Sequence, residues 1–273
     1  MIHKTFKLKS ADGTELFGQA WLPEDSPKAL INLIHGIGEH SGRYADMAEY
    51  FTGKGIAVYA IDYRGHGLSE GKRGHFPSYE SVMQDIDALM EFSSKDSNIE
   101  NVFIYGHSLG GNLVTNYVLR RKPAIKGVIV SAPWLKLAVP VPAFLQAISR
   151  LLKKIYPSFT KKNDLKTTDL SRNTSNVENY EKDELVHPYI SISTFVEASD
   201  AAEWALNNKK LLQMPMLLMH GSDDKITSPE GSKLFAENNE LVELKIWDNL
   251  YHEIHNEDNK QEIYDYVINW VIT

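Results

Sequence analysis

The sequence predicts an α/β fold: a mostly parallel sheet of eight strands, helices on both faces, and one mainly helical insertion. Three observations predict it. Short, almost uniformly apolar runs recur along the chain, as expected of strands covered on both sides. Longer segments with apolar residues at three- and four-residue spacing alternate with them, which suits helices laid on a sheet. A single stretch of about seventy residues breaks the alternation and is too long for an ordinary loop.

Taken in order, residues 4–9 and 14–22 alternate and flank Ala11-Asp12-Gly13, which reads as a hairpin. The apolar runs follow at 30–34, 56–61, 102–105, 127–130, 216–219 and 241–247, most of them rich in β-branched residues and bounded by Gly, Asp or Asn. Helical spacing marks 81–92, 113–121, 230–237 and 262–271. Between Trp134 and about Leu206 there is no convincing strand. That stretch holds Pro140 and Pro142 and a polar segment, 167–179. The predicted organisation is therefore a core of 1–133 and 207–273 with a cap, 134–206, over one end of the sheet. No internal repeat or low-complexity tract interrupts it.

Composition narrows the function classes. The 42% hydrophobic and 24% charged content is that of a soluble globular domain. The absence of cysteine excludes disulfides, thiolate metal sites and a cysteine nucleophile. A net charge of −7 argues against nucleic acid as a partner. The N-terminus MIHKTFKLKS lacks an apolar h-region, so no signal peptide is expected. The greasiest run, 137–145, is short and broken by both prolines, and cannot span a bilayer. A soluble cytoplasmic protein is the expectation.

The stretch YGHSLGGN, 105–112, closes one apolar run and opens another. Glycines where a strand gives way to a helix indicate a turn too sharp for a Cβ, or a close approach. Such a turn either cradles a phosphate or exposes a nucleophile. Gly106 and Gly111 have P-loop spacing, but Asn112-Leu113 stand where that motif needs Lys and Ser or Thr. His252 and His255 are one residue too close for an HExxH zinc site, and no metal or organic cofactor is expected. Gly106-His107-Ser108-Leu109-Gly110 fits G-x-S-x-G, the nucleophile elbow.

A serine nucleophile needs a base and a carboxylate, in the chain order Ser, acid, His. The run 216–219 leads into His220-Gly221-Ser222-Asp223-Asp224, and the run ending at Trp247 leads into the loop bearing His252. Both lie where open α/β sheets place their sites. The loop His35-Gly36-Ile37-Gly38, after the run 30–34, is the source of the second oxyanion donor. The candidate amides are those of Ile37 and Leu109. His3, His40, His66 and His75 read as surface or loop residues, His187 as part of the insertion, and His107 and His220 as structural neighbours of the motifs.

These segments together resemble a known family. Residues 35–44, HGIGEHSGRY, resemble the HGxGEHSGRY signature of monoglyceride lipases. Residues 62–71 resemble their D-x-x-GHG-x-S-x-G segment, 106–111 the elbow, 221–224 the acid turn, and 251–257 a YHxxHxE-like histidine loop. The resemblance extends over nearly the whole chain, including 179–180 and 183–186. It implies the α/β-hydrolase fold, with Ser108 as nucleophile, Asp224 rather than Asp223 as acid, and His252 as base. It also implies a polar pocket for a glycerol head, with Glu39, Arg43, Tyr180 and His255 as candidates. From the residues alone, Glu39 and Arg43 read as an exposed pair one helical turn apart. Ile37 departs from the small residue of mammalian members, which narrows the pocket without removing the amide.

Residues 136–172 carry eight basic and two acidic side chains, +6 within a chain of −7. Apolar residues between 143 and 155 recur at helical spacing, flanked by Arg150, Lys153 and Lys154. Such a helix either rests on an anionic lipid surface or packs its apolar side on the core, and periodicity cannot choose. Either arrangement puts apolar side chains above Ser108. The expected function is cofactor-free hydrolysis of medium- to long-chain monoacylglycerols to glycerol and fatty acid through an acyl-enzyme. The partners are a lipid ester and, through the cap, a transient membrane surface, with no protein partner implied. Lysophospholipase, carboxylesterase or serine aminopeptidase activity on the same scaffold is the alternative, and a non-catalytic binding protein the alternative of a different class.

Overall fold

The computed structural model describes residues 1–163 and 165–273. Asp164, one of the two acids counted in the basic segment, lies outside them. Eight strands form one sheet: β1 (Ile2–Lys9), β2 (Glu15–Leu22), β3 (Ala29–Ile34), β4 (Ile56–Ile61), β5 (Val102–His107), β6 (Gly127–Ser131), β9 (Met216–Gly221) and β10 (Val242–Trp247). Their spatial order is β1-β2-β4-β3-β5-β6-β9-β10. β1 and β2 pair as the antiparallel hairpin, and β2 runs antiparallel to β4. All other pairs are parallel.

The uniformly apolar runs are explained by a core on each side of the sheet. Leu30 and Ile34 of β3 face one core with Ala57, Tyr59 and Ile61 of β4. Ile31 and Leu33 face the other with Ile56, Val58 and Ala60. The helices α2 (Tyr79–Ser97), α3 (Leu109–Arg121), α6 (Ile192–Asn207) and α7 (Pro229–Ala236) cover the first face. The helices α1 (Ala45–Gly53) and α8 (Lys260–Ile272) cover the second. The order β4-β3-β5 means the chain leaves β3 to one side and later returns on the other. The crevice beyond the C-terminal ends of β3 and β5 is thus the topological switch point, where such sheets bind ligands.

The stretch 134–206 adds no strand to the large sheet. It contains α4 (Ala143–Ile155), α5 (Thr174–Lys182) and, unforeseen from sequence, a small antiparallel pair, β7 (Thr160–Lys162) with β8 (Tyr189–Ser191). Three residues per strand are too few to show a period. Its last element, α6, differs from the expectation of a cap. It buries Ala198, Ala201 and Ala205 in the first core and packs against α3, so it belongs to the helical layer.

Helix α4 rests on α6 by its polar side. Arg150 pairs with Asp200 at 2.7 Å and Lys153 with Glu197 at 2.5 Å. None of its residues is buried, and its apolar face is turned to solvent, with Phe144 64% and Ile155 74% exposed. Leu151 and Leu152 belong to the same exposed face, and Val139 and Phe159, on either side of α4 in the chain, are exposed too. Packing of the greasy side on the core is therefore not what the chain adopts. Among the described residues no helix is long and apolar enough to cross a membrane.

Candidate active site

Ser108 sits between the end of β5 and the start of α3 with φ 55° and ψ −116°, a backbone conformation that non-glycine residues rarely adopt. The turn is held by Ser108 N–H donating to the Ser131 carbonyl at 3.0 Å, while its own carbonyl accepts from Asn112 and Trp134. Gly110 is glycine for a steric reason: a Cβ there would fall on the carbonyl oxygens of Ile34 and His35.

Three loops bring the predicted partners together. His252 Nε2 lies 2.9 Å from Ser108 Oγ, and its Nδ1 lies 2.7 Å from Asp224 Oδ2. A carboxylate only accepts, so Nδ1 carries the proton and Nε2 is the acceptor for the serine hydroxyl. Asp224 is buried, whereas Asp223 is exposed and its carboxylate accepts from its neighbour Ser222 Oγ at 2.9 Å. Asp224 Oδ1 accepts from the Ile226 and Thr227 amides at 2.7 and 3.0 Å, which fixes the carboxylate plane. Oδ2 also receives Thr227 Oγ1 at 2.8 Å and His220 Nε2 at 3.0 Å.

The electrostatics follow from these contacts. Burial alone would raise the Asp224 pKa, but the two histidines facing it hold the carboxyl far below its ordinary range. Burial likewise pushes His252 down, and the Asp224 carboxylate more than reverses it, leaving the imidazole above its ordinary value. A raised histidine pKa means that the neutral base is lost as pH falls through it. His107, whose ring centroid is 4.7 Å from that of His252, is pushed well below its ordinary value, first by burial and then by the neighbouring histidines. It is a neutral wall.

The loop carrying Ile37 passes over the serine: a Cβ on Gly36 would lie 3.2 Å from Ser108 Cβ. Among the described residues, neither the Ile37 nor the Leu109 amide donates a hydrogen bond within the protein. The insertion straps this loop from outside. His187 N–H donates to Gly38 O at 2.8 Å, and His40 pairs with Asp183 at 2.8 Å. Gly38 has φ 77°, and a side chain there would collide with the His187 carbonyl.

The predicted head-group residues are gathered, but not as free groups. Glu39 and Arg43 are buried, 3% and 7% exposed by side chain, where sequence spacing suggested an exposed pair. Arg43 Nη1 donates to Glu39 Oε2 at 2.6 Å, and its guanidinium stacks over the Tyr180 ring at 4.7 Å. The same guanidinium is forked by Glu253, which sequence reasoning missed because its partner lies 210 residues away. Burial would raise Glu253, yet Arg43 holds it well below its ordinary value. His255 stacks on Tyr44 at 4.9 Å with both ring nitrogens unpartnered, and burial brings it to about 4 against the pull of Glu253 and Glu39. It is neutral.

His40 and His66 lie in loops, one of the two settings expected of them, and both are buried. His66 packs among Tyr63, His35 and His187 at centroid distances of 4.3 to 5.3 Å, where burial keeps it well below its ordinary pKa. His187 Nε2 bonds to Gly65 O. His3 is exposed, as expected.

Fold and site together define the class: a serine hydrolase built on the α/β-hydrolase fold. A family model described as serine aminopeptidase S33 matches residues 25–259. The chain is 30% identical to a monoacylglycerol lipase of Mycolicibacterium smegmatis over 96% of its own length and 94% of that protein's. It is 37% identical over 99% of its length to an uncharacterised abhydrolase-domain protein of Dictyostelium discoideum, of which it spans only 29%. A crystal structure of Paleococcus ferrophilus monoacylglycerol lipase superposes with a TM-score of 0.84 at 34% identity, covering 100% of this chain and 99% of that one. The chain belongs to the serine aminopeptidase S33 family of hydrolases, and its relatives include monoacylglycerol lipases.

Proposed function

We propose that this protein hydrolyses monoacylglycerols of medium to long chain to glycerol and a fatty acid. The observation that carries the reading is the hydrogen-bonded Ser108–His252–Asp224 array, in a chain similar to monoacylglycerol lipases over nearly all of its length. Ser108 Oγ attacks the ester carbonyl as His252 Nε2 takes its proton. The Ile37 and Leu109 amides take the oxyanion. His252 returns the proton to the departing glycerol oxygen, then serves as base for the water that releases the fatty acid. Release of glycerol from monooleoylglycerol by the purified protein tests the reading.

The family's other activities fit less well. An aminopeptidase needs a free carboxylate near the serine for the substrate ammonium. Glu39 and Glu253 are both committed to Arg43, which also leaves no free cation there for a phosphate head group. A neutral polar head such as glycerol suits Tyr180 and the unpartnered nitrogens of His255.

The acyl chain sets affinity. Each buried methylene contributes about 0.8 kcal/mol against about 0.5–1.5 for a neutral hydrogen bond, so ten methylenes outweigh the few contacts to glycerol. The outward apolar face of α4, beside Lys154, is suited to a lipid–water interface and supports the reading of an enzyme that visits membrane surfaces. Replacing both Leu151 and Leu152 by Asp is expected to leave hydrolysis of a soluble acetate ester within about twofold. Hydrolysis of vesicle-borne monooleoylglycerol should fall about tenfold or more, as two apolar contacts of roughly 1–2 kcal/mol each are lost. Equal losses on both esters would assign α4 a purely structural role.

A further inference from the structure

We propose that Glu253 is a positioning residue that holds the oxyanion loop in place by occupying the fork of Arg43. This inference rests on the ester-hydrolase reading of Ser108. Glu253 accepts from Arg43 Nη1 and Nη2, both at 2.7 Å, and is only 2% exposed. It is further fixed by Asn176 Nδ2 at 2.8 Å and Asn256 Nδ2 at 2.9 Å. Because Glu253 takes the fork, Arg43 offers Glu39 a single bond, to Oε2. Glu39 Oε1 is thereby left for Gly36 N–H at 2.6 Å and Tyr44 Oη at 2.8 Å. Gly36 precedes Ile37, the residue whose amide the proposed mechanism assigns to the oxyanion, and a Cβ on Gly36 would lie 3.2 Å from Ser108 Cβ. One chain of charge-assisted hydrogen bonds thus joins the residue after the catalytic base to the residue before the oxyanion donor.

The arrangement contains a competition. A guanidinium matches a carboxylate best through two parallel bonds. Without the Glu253 carboxylate, the fork of Arg43 is free to claim both oxygens of Glu39, drawing Oε1 away from Gly36 N–H. The Ile37 amide then loses its aim, and an oxyanion donor acts only at the transition state. A cluster that merely stabilises the fold would instead cost thermal stability and leave the turnover of folded protein unchanged.

The test uses the full chain with p-nitrophenyl acetate and monooleoylglycerol. Glu253→Gln is expected to lower kcat about tenfold on both esters with KM within about twofold, a fraction of the roughly 10²–10³-fold lost when an oxyanion donor is removed outright. Affinity for a trifluoromethyl ketone, whose serine adduct carries the oxyanion, should weaken by the same factor. Adding Arg43→Lys should restore much of the loss, because an ammonium cannot fork Glu39. Should Glu253→Gln fail to fold, Glu253→Asp, too short to reach both nitrogens, should show the same signature at about threefold. Unchanged kcat and ketone affinity in a folded variant, or no recovery with Arg43→Lys, overturns the proposal. The acetate ester separates this outcome from failure of the substrate reading: a protein inactive on monooleoylglycerol but active on acetate still reports the relay.

Discussion

Ser108→Ala is expected to abolish turnover, with a loss on the order of the 10⁶-fold seen when a triad serine is removed in subtilisin. The hydroxyl whose oxygen lies 2.9 Å from His252 Nε2 is positioned to form the acyl-enzyme. Folding should be untouched. Alanine keeps the Cβ, so the strain at φ 55° is the same, and the backbone bonds to Ser131, Asn112 and Trp134 involve no side-chain atom. Thermal unfolding together with labelling by a fluorophosphonate checks both halves: an unchanged transition with no label is expected. A folded variant retaining most of its esterase activity contradicts the nucleophile assignment.

Asp224→Asn should cost about 10⁴-fold in kcat and Asp223→Asn less than about twofold. The adjacent carboxylates face opposite environments. Asp224 is buried between His252 and His220 and takes two backbone amides, while Asp223 points to solvent. An asparagine at 224 can turn its amide nitrogen toward His252 Nδ1 and hold the imidazole in the wrong tautomer, the fault that costs about 10⁴-fold in a chymotrypsin-like triad. Steady-state kinetics on p-nitrophenyl acetate separates the two. Loss of activity in Asp223→Asn alone would place the acid one residue earlier.

What was legible in the sequence, and what was not, has physical causes. The alternation of buried strands with amphipathic helices is a local signal, so the α/β class and its eight-stranded sheet were readable, as was the elbow, whose glycines form a contiguous motif even though Gly110 is required by the distant Ile34 and His35 carbonyls. The choice of Asp224 needed the family resemblance, because either carboxylate follows β9 equally well. Glu253 was invisible: a charged residue in a loop reads as solvated, and only the fold brings Arg43 to it. The burial of His66 was hidden for the same reason. Its loop is rich in glycine and polar residues, yet it curls inward beneath the insertion and packs at a tilt against Tyr63. Periodicity gave the stripe on α4 but not its direction. The acids that set it, Asp200 and Glu197, lie on α6, some forty-odd to fifty residues further along the chain. α6 meets α3 through a stripe of small alanines, a weak hydrophobic signal by which to separate a core helix from the insertion.

The most direct test of the account is the relative kcat/KM for monooleoylglycerol and trioleoylglycerol presented in the same mixed micelles, with an aminoacyl amide alongside. A triacylglycerol would bring two further chains to the polar head-group end at Tyr180 and His255, and each polar group that glycerol would have satisfied and hydrocarbon cannot costs roughly 1–3 kcal/mol. The account predicts a preference for the monoester of about 10²-fold or more and no significant amide hydrolysis. Trioleoylglycerol cleaved as fast as monooleoylglycerol, or the amide cleaved in preference to both, would contradict it.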